Sequence, residues 1–153
     1  MSGAGLTVKV PKVAVLAGSK SDHAIADEAV KVLAELDIAY ELQFISAHRN
    51  AERLRTYVSQ SPAKVFIAVA GLAAHLPGAI ASMTIRPVIG VPVNVKLSGL
   101  DSFLSIVQMP PGVPVASVGV DNARNAGILA AEMLAIGDSN VAESLERMRE
   151  KWK

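Results

Sequence analysis

Along this chain the apolar positions switch repeatedly between a period of two and a period of 3.6. "KVAVLAG" (Lys12 to Gly18) is a short β-branched run ending in glycine, and it predicts a strand covered on both faces. "SKSDHAIADEAVKVLAELD" then places Ile25, Ala29, Val32 and Leu36 at helical spacing, with Ser21 or Asp22 as the cap. "AYELQFIS" alternates apolar and polar as a second strand, and "RNAERLRTYVSQ" predicts a helix starting at an Asn50 cap and ending before Pro62. "KVFIAVAG" is a third strand, and "LAAHLPGAIASMT" a glycine-opened loop running into a short helix near Pro77. In "PVIGVPV", a fourth strand, Pro92 is placed at the end because proline cannot donate to a ladder. A long connection with a helical turn or two at Asp101 to Val107 leads to a fifth strand in "VPVASVGV". "DNARNAGILAAEMLAI" predicts a helix capped by Asp121 or Asn122.

Strands alternating with helices call for right-handed crossovers and a doubly wound parallel sheet of the α/β class. The tail after Gly137 carries Val141, Leu145, Met148 and Trp152 on one helical face. Because it follows a complete doubly wound unit, that helix is expected on a neighbouring subunit, with docking on its own chain as the equal alternative. At 153 residues the chain is the size of one domain, since a domain typically takes ~100–200 residues. Its expected parts are a flexible lead-in over 1–11, a core over 12–136 and the terminal helix over 138–153.

Composition narrows the function. Hydrophobic residues make up 51% of the chain and aromatic ones only 4%, so the core is built of Ala, Val, Leu and Ile. A formal net charge of +1 gives no broad field to hold a polyanion, which argues against nucleic acid and makes any phosphate recognition local. Cysteine is absent, removing disulfides, thiolate nucleophiles and Cys-ligated metals, and a cytoplasmic location fits. The N-terminal "MSGAGLTVKVPK" is too polar for a signal segment, and no apolar run reaches the roughly 18 residues a membrane span needs.

Ligands of doubly wound sheets sit beyond the carboxyl ends of the strands. "GSKSD", "SAHRN" and "GLAAH" each follow an expected strand, so they are expected to meet at one edge. In the first, Gly18 allows close backbone approach, Ser19 and Ser21 offer hydroxyls and the helix start offers unpaired N–H groups, the parts of a phosphate or ribose site, although a Ser/Asp capping turn ending at Asp22 is the ordinary alternative. In the second, beside Ser46, Arg49 offers a planar fork for phosphate oxygens and His48 a proton carrier near neutrality. A solvated arginine and a capping or core histidine are the plain alternatives. In the third, Gly71, Ala73, Ala74 and Leu76 form a small-residue loop able to lie flat against a planar ring. His75 in that loop has a positioning or a structural role.

His23, His48 and His75 lack metal-ligand spacing. There is no Gly-x-Ser-x-Gly elbow, no P-loop and no dinucleotide fingerprint. "GDSN" at Gly137 reads as a helix cap, and the first strand lacks the acidic end of a receiver domain.

Taken together, "GSKSD", "SAHR", "AAHLPG" (Ala73 to Gly78), "PVIGVPV" and "LSGLDSFLSIVQMPPGVPVASV" (Leu97 to Val118) closely resemble the catalytic subunit family of phosphoribosylaminoimidazole carboxylase, in its N5-carboxyaminoimidazole ribonucleotide mutase class. The resemblance runs from Lys12 to about Ile136. It implies a flavodoxin-like three-layer α/β/α sandwich with a five-stranded parallel sheet and an extra C-terminal helix, assembled into a homo-octamer. The implied reaction belongs to de novo purine biosynthesis. It moves a carboxylate from the exocyclic N5 nitrogen to carbon C4 without metal or organic cofactor, beside an ATP-dependent synthetase that makes the substrate. Carried over by motif, His48 is the general acid/base, Ser19 and Asp22 hold the ribose-phosphate part, Ser46 and Arg49 the phosphate, and the Gly71 to Leu76 loop the imidazole and carboxylate. Gln108, Met109 and Pro110 are expected to help close the pocket.

The chain departs from the family at Asn50 and Ala51, where Thr-Pro is usual, at Leu72, where a second glycine is common, and at Asp121, Asn122 and Arg124. Two alternatives stand beside the mutase. One is a sister class that carboxylates aminoimidazole ribonucleotide directly with CO2. The other is a non-catalytic flavodoxin-like module binding a phosphorylated ligand such as FMN, which the scarcity of aromatics disfavours.

Overall fold

In a computed structural model, which describes residues 9–153, the chain runs β1 (Val13–Ala17), α1 (His23–Glu35), β2 (Tyr40–Phe44), α2 (Ala51–Gln60), β3 (Val65–Gly71), α3 (Leu76–Ala81), β4 (Val88–Val93), α4 (Leu100–Val107), β5 (Ala116–Ser117), α5 (Ala123–Ala135) and α6 (Ser139–Glu150). Most of the expected lead-in lies outside the described residues. The strands form one five-stranded sheet in the order β2-β1-β3-β4-β5, all parallel. That is the flavodoxin-like winding, with its switch point between β1 and β3.

The two faces of the sheet are sorted by strand alternation. Val13, Val15, Val65, Ile67, Val69, Ile89 and Val91 face a core shared with α1, α5 and α6. Ala14, Leu16, Phe66, Ala68 and Val88 face a second core under α2, α3 and α4. Because both faces are covered, β1 and β4 are buried throughout, whereas the edge strand β2 is only partly so. Small residues let α1 and α5 approach closely. A Cβ at Gly127 would lie 3.0 Å from the Ala29 carbonyl oxygen.

Several expectations are corrected. β5 spans two residues only, because Pro110, Pro111 and Pro114 remove ladder donors just before it. The helical turns expected at Asp101 to Val107 are present as α4, which starts one residue earlier at Leu100. Its buried Ser102 hydroxyl lies 2.9 Å from both the Val93 and Gly99 carbonyl oxygens and ties α4 to the end of β4. The start of α5 is capped by Asn122, whose side chain accepts from the Asn125 N–H at 3.1 Å. Asp121 instead accepts from the Asn94 N–H at 2.9 Å.

The apolar face of α6 docks on its own chain. Val141, Leu145 and Met148 are buried in the first core, while Trp152, just past the helix end, stays 57% exposed. In the single chain α6 shares that core with α5, and Asp138 secures the turn between them by pairing with Lys12 at 2.6 Å.

Candidate active site

The loops after β1, β2 and β3 converge at the carboxyl edge of the sheet, around one cavity of about 470 Å³. In the strand order β1 lies between β2 and β3, so the second and third loops reach toward each other across the end of the first strand. Ser19, Ser21, Asp22, Ser46, His48, Arg49, Gly71, Ala73, His75 and Leu76 all line this cavity. Ala74 does not. It is 1% exposed and turned into the second core, because the loop has to anchor itself to the sheet between two outward residues.

After β1 the chain makes a single 3-10 turn, Lys20–Asp22, before α1. That extra turn moves the cap back to Ser19, whose Oγ lies 3.3 Å from the Ser21 N–H and 3.0 Å from the Ser21 hydroxyl. Asp22 stands at the N-cap position of α1, but its side chain makes no cap hydrogen bond there. Asp22 is 9% exposed. Burial pushes its carboxyl above the usual carboxylate range, opposed by hydrogen bonds from the Ser21 hydroxyl and the Ser19 backbone.

In the loop after β2, Ser46 Oγ accepts the Arg49 N–H at 3.3 Å. The Arg49 guanidinium donates to the Gly18 carbonyl oxygen at 3.2 Å, bridging the first two loops. Asn50 directly precedes α2, but its side chain makes no cap bond. Ser46, four residues earlier, supplies the side chain that ties down this turn.

The loop after β3 folds tightly, with the Ala74 N–H donating to the Leu72 carbonyl at 2.9 Å and the His75 N–H to the Ala73 carbonyl at 2.7 Å. A side chain at Gly71 would meet Val95 Cγ2 at 2.6 Å, so glycine is what lets the β4 exit close against it. Leu72 carries a left-handed backbone, φ +55°, and its side chain is half exposed at the cavity wall.

This geometry brings His48 Nε2 to 2.7 Å from His75 Nδ1, the rings lying edge to face with centroids 4.8 Å apart. The cavity therefore combines a hydroxyl-rich loop, a guanidinium fork, a titratable imidazole pair and a small-residue wall. Such a set has the chemistry to recognise an anionic, hydroxylated ligand and to exchange protons with it.

Sequence reasoning missed Ala47, Ala70 and Val95 as lining residues. The rule that ligands sit beyond the strand ends, applied to β4 as well, would have found Val95. Gln108, Met109 and Pro110 do not line the cavity. Met109 packs instead beside α3, where a Cβ at Gly78 would come within 2.9 Å of its sulfur. Among the described residues no group of three or more His, Cys, Asp or Glu is placed to hold a metal ion, and no helix is long and apolar enough to cross a membrane.

Comparison with known proteins matches residues 12–153 to the AIR carboxylase family. A Methanocaldococcus jannaschii protein named N5-carboxyaminoimidazole ribonucleotide mutase is 54% identical over 141 residues, covering 92% of this chain and 90% of its own length. A Pyrococcus abyssi protein of the same name is 51% identical over 150 residues, covering 95% and 86%. The crystal structure of Treponema denticola PurE superposes with a TM-score of 0.78 at 27% identity, over 92% of this chain and 90% of that one.

Proposed function

The chain belongs to the AIR carboxylase family, and from that premise we propose that it is an N5-carboxyaminoimidazole ribonucleotide mutase, an isomerase of purine biosynthesis. Relatives at about half identity over nearly the whole length carry that name, which favours it over direct carboxylation and over a binding module. The observation that carries the mechanism is the meeting of His48, Arg49 and the Gly71 to Leu76 loop around one cavity.

The ribose-phosphate part of the substrate lies along Ser19, Ser21 and Asp22, with Ser46 and the Arg49 fork on the phosphate. The imidazole lies against the wall of Gly71, Ala73 and Leu76, where Gly71 and Ala73 leave room for a flat ring and Leu76 adds an apolar contact. The N5–carboxylate C–N bond breaks, CO2 leaves, and protonated His48 gives its proton to N5. The C4 carbon, rich in electron density from the amine, then forms a C–C bond to the CO2. His48 takes the C4 proton, which restores the aromatic ring and the starting state of the enzyme. Proton and carboxylate balance over the cycle, so no oxidant or co-reactant is consumed. A positioned acid/base of this kind contributes ~10²–10⁴-fold. Keeping CO2 beside the ring turns recapture into an intramolecular event.

The active form is a homo-oligomer, an octamer in this reading, located in the cytoplasm and supplied by an ATP-dependent N5-carboxyaminoimidazole ribonucleotide synthetase. Supporting the assembly, α4 presents Leu100, Leu104 and Val107 on its outer side next to Leu97, all exposed in the single chain. The test is conversion of N5-carboxyaminoimidazole ribonucleotide to the C4 isomer by the purified protein, without ATP or added bicarbonate.

A further inference from the structure

Resting on the mutase reading, we infer that His75 is a positioning residue that fixes the tautomer of His48, so that one ring nitrogen, Nδ1, carries the proton in both half-reactions. The contact is made by His48 Nε2 and His75 Nδ1, 2.7 Å apart. A hydrogen bond that short needs one donor and one acceptor, so the two nitrogens hold a single proton between them.

Two orientations satisfy that rule, and they differ in consequence. If His75 donated, the His48 Nε2 lone pair would be occupied and its Nδ1 would bear the remaining proton of the neutral ring. Neutral His48 would then have no free lone pair with which to take the C4 proton. If His48 donates through Nε2–H, its Nδ1 alternates between protonated and bare. The imidazolium gives a proton from Nδ1 to N5, and the neutral ring accepts the C4 proton at that same atom. Only the second arrangement serves both steps without a ring flip between them.

The fold supports the contact from outside the pair. His75 directly precedes α3, with Pro77 in that helix's first turn, and its N–H is held by the Ala73 carbonyl at 2.7 Å. His48 sits in the turn closed by the Arg49 to Ser46 bond. The charged or titratable side chains sharing the cavity with the pair are Asp22, from the loop after β1, and Arg49, beside His48. Neither histidine has a side-chain hydrogen bond to them.

The chain has three histidines, so ¹⁵N-histidine labelling of the intact protein reads the tautomer directly, with His23→Gln and His75→Leu assigning the signals. With both rings neutral, His48 is expected with protonated Nε2 and bare Nδ1. In His75→Leu this preference is lost and kcat falls about tenfold or more, though less than the ~10²–10⁴-fold a whole acid/base is worth, with KM little changed. In His75→Asn, whose amide oxygen can stand where Nδ1 stood, the tautomer returns and most of the lost kcat is recovered relative to His75→Leu. A bare Nε2 on wild-type His48, or a His75→Leu protein whose His48 keeps the wild-type tautomer, overturns the inference. The nitrogen signals need no substrate, so a protein with the expected tautomer and no isomerase activity would contradict the mutase reading and not the pairing.

Discussion

His48 Nε2 and His75 Nδ1 lie 2.7 Å apart across the carboxyl end of β1, although 27 residues separate them in the chain. The parallel order β2-β1-β3 creates this proximity, because the loops leaving the two flanking strands lean over the strand between them. Two imidazolium rings would each present only donors at that point. The contact is therefore sensitive to the proton inventory of the site as well as to its shape.

Asp22 supplies a test based on pH. Its folded-state carboxyl is raised by burial, so between its ordinary value and the raised one the folded chain holds more protons than the unfolded chain. Stability from this group then falls as pH rises through that window. Asp22→Asn is expected to be more resistant to urea than wild type at neutral pH, with the difference vanishing below about pH 4, and to raise KM. A stability difference that is the same at both pH values would contradict the buried-carboxylate account.

Arg86 is a structural hub. Its guanidinium donates to the carbonyls of Ser61 and Ala63, both at 2.7 Å, and of Val58 at 2.6 Å, and it lies 4.6 Å over the Phe66 ring. Arg86→Lys cannot reproduce the fork and is expected to lose at least one charged hydrogen bond, about 1.5–3 kcal/mol. Chemical denaturation reads this loss. A midpoint equal to wild type would show the fork to be dispensable.

The outward stripe of α4 bears on assembly. Leu104→Glu places a charge among Leu97, Leu100 and Val107 and is expected to shift sedimentation from the oligomer to smaller species. Retention of the wild-type sedimentation coefficient would place the subunit contact elsewhere.

Leu72 holds a left-handed backbone, which costs an L-residue roughly 1–2 kcal/mol. Its half-exposed side chain recovers little of that by burial. Leu72→Gly is expected to leave stability within about 1 kcal/mol of wild type, since relief of strain is offset by glycine's larger chain entropy. By opening the cavity wall it should increase the share of turnovers that release aminoimidazole ribonucleotide and CO2. Unchanged partitioning would show that the leucine does not help retain CO2.

The strands, the helices and the edge where the loops meet were legible because apolar period and glycine-ended runs are local signals. His48 and Arg49 stood out for the same reason, as polar residues at the end of an apolar run. Arg86 did not, since the three carbonyls it holds lie 23 to 28 residues away and only Thr84, two residues back, is a local partner. Ala74 was misplaced because a small-residue loop gives no sign of which alanine turns inward. The side on which α6 docks was open in the sequence, since an amphipathic stripe states that a face is covered and not by what. The cap shifted to Ser19 because a single 3-10 turn has no hydrophobic period to reveal it.

The most direct test of the account is the conversion of N5-carboxyaminoimidazole ribonucleotide to its C4 isomer by wild type and by His48→Asn. A parallel reaction would contain aminoimidazole ribonucleotide and excess bicarbonate. Fast isomerisation by wild type that falls at least ~10²-fold in the variant, with the variant still folded, is the result expected. Turnover only in the bicarbonate reaction, or a His48→Asn protein as active as wild type, would contradict the proposed mutase chemistry.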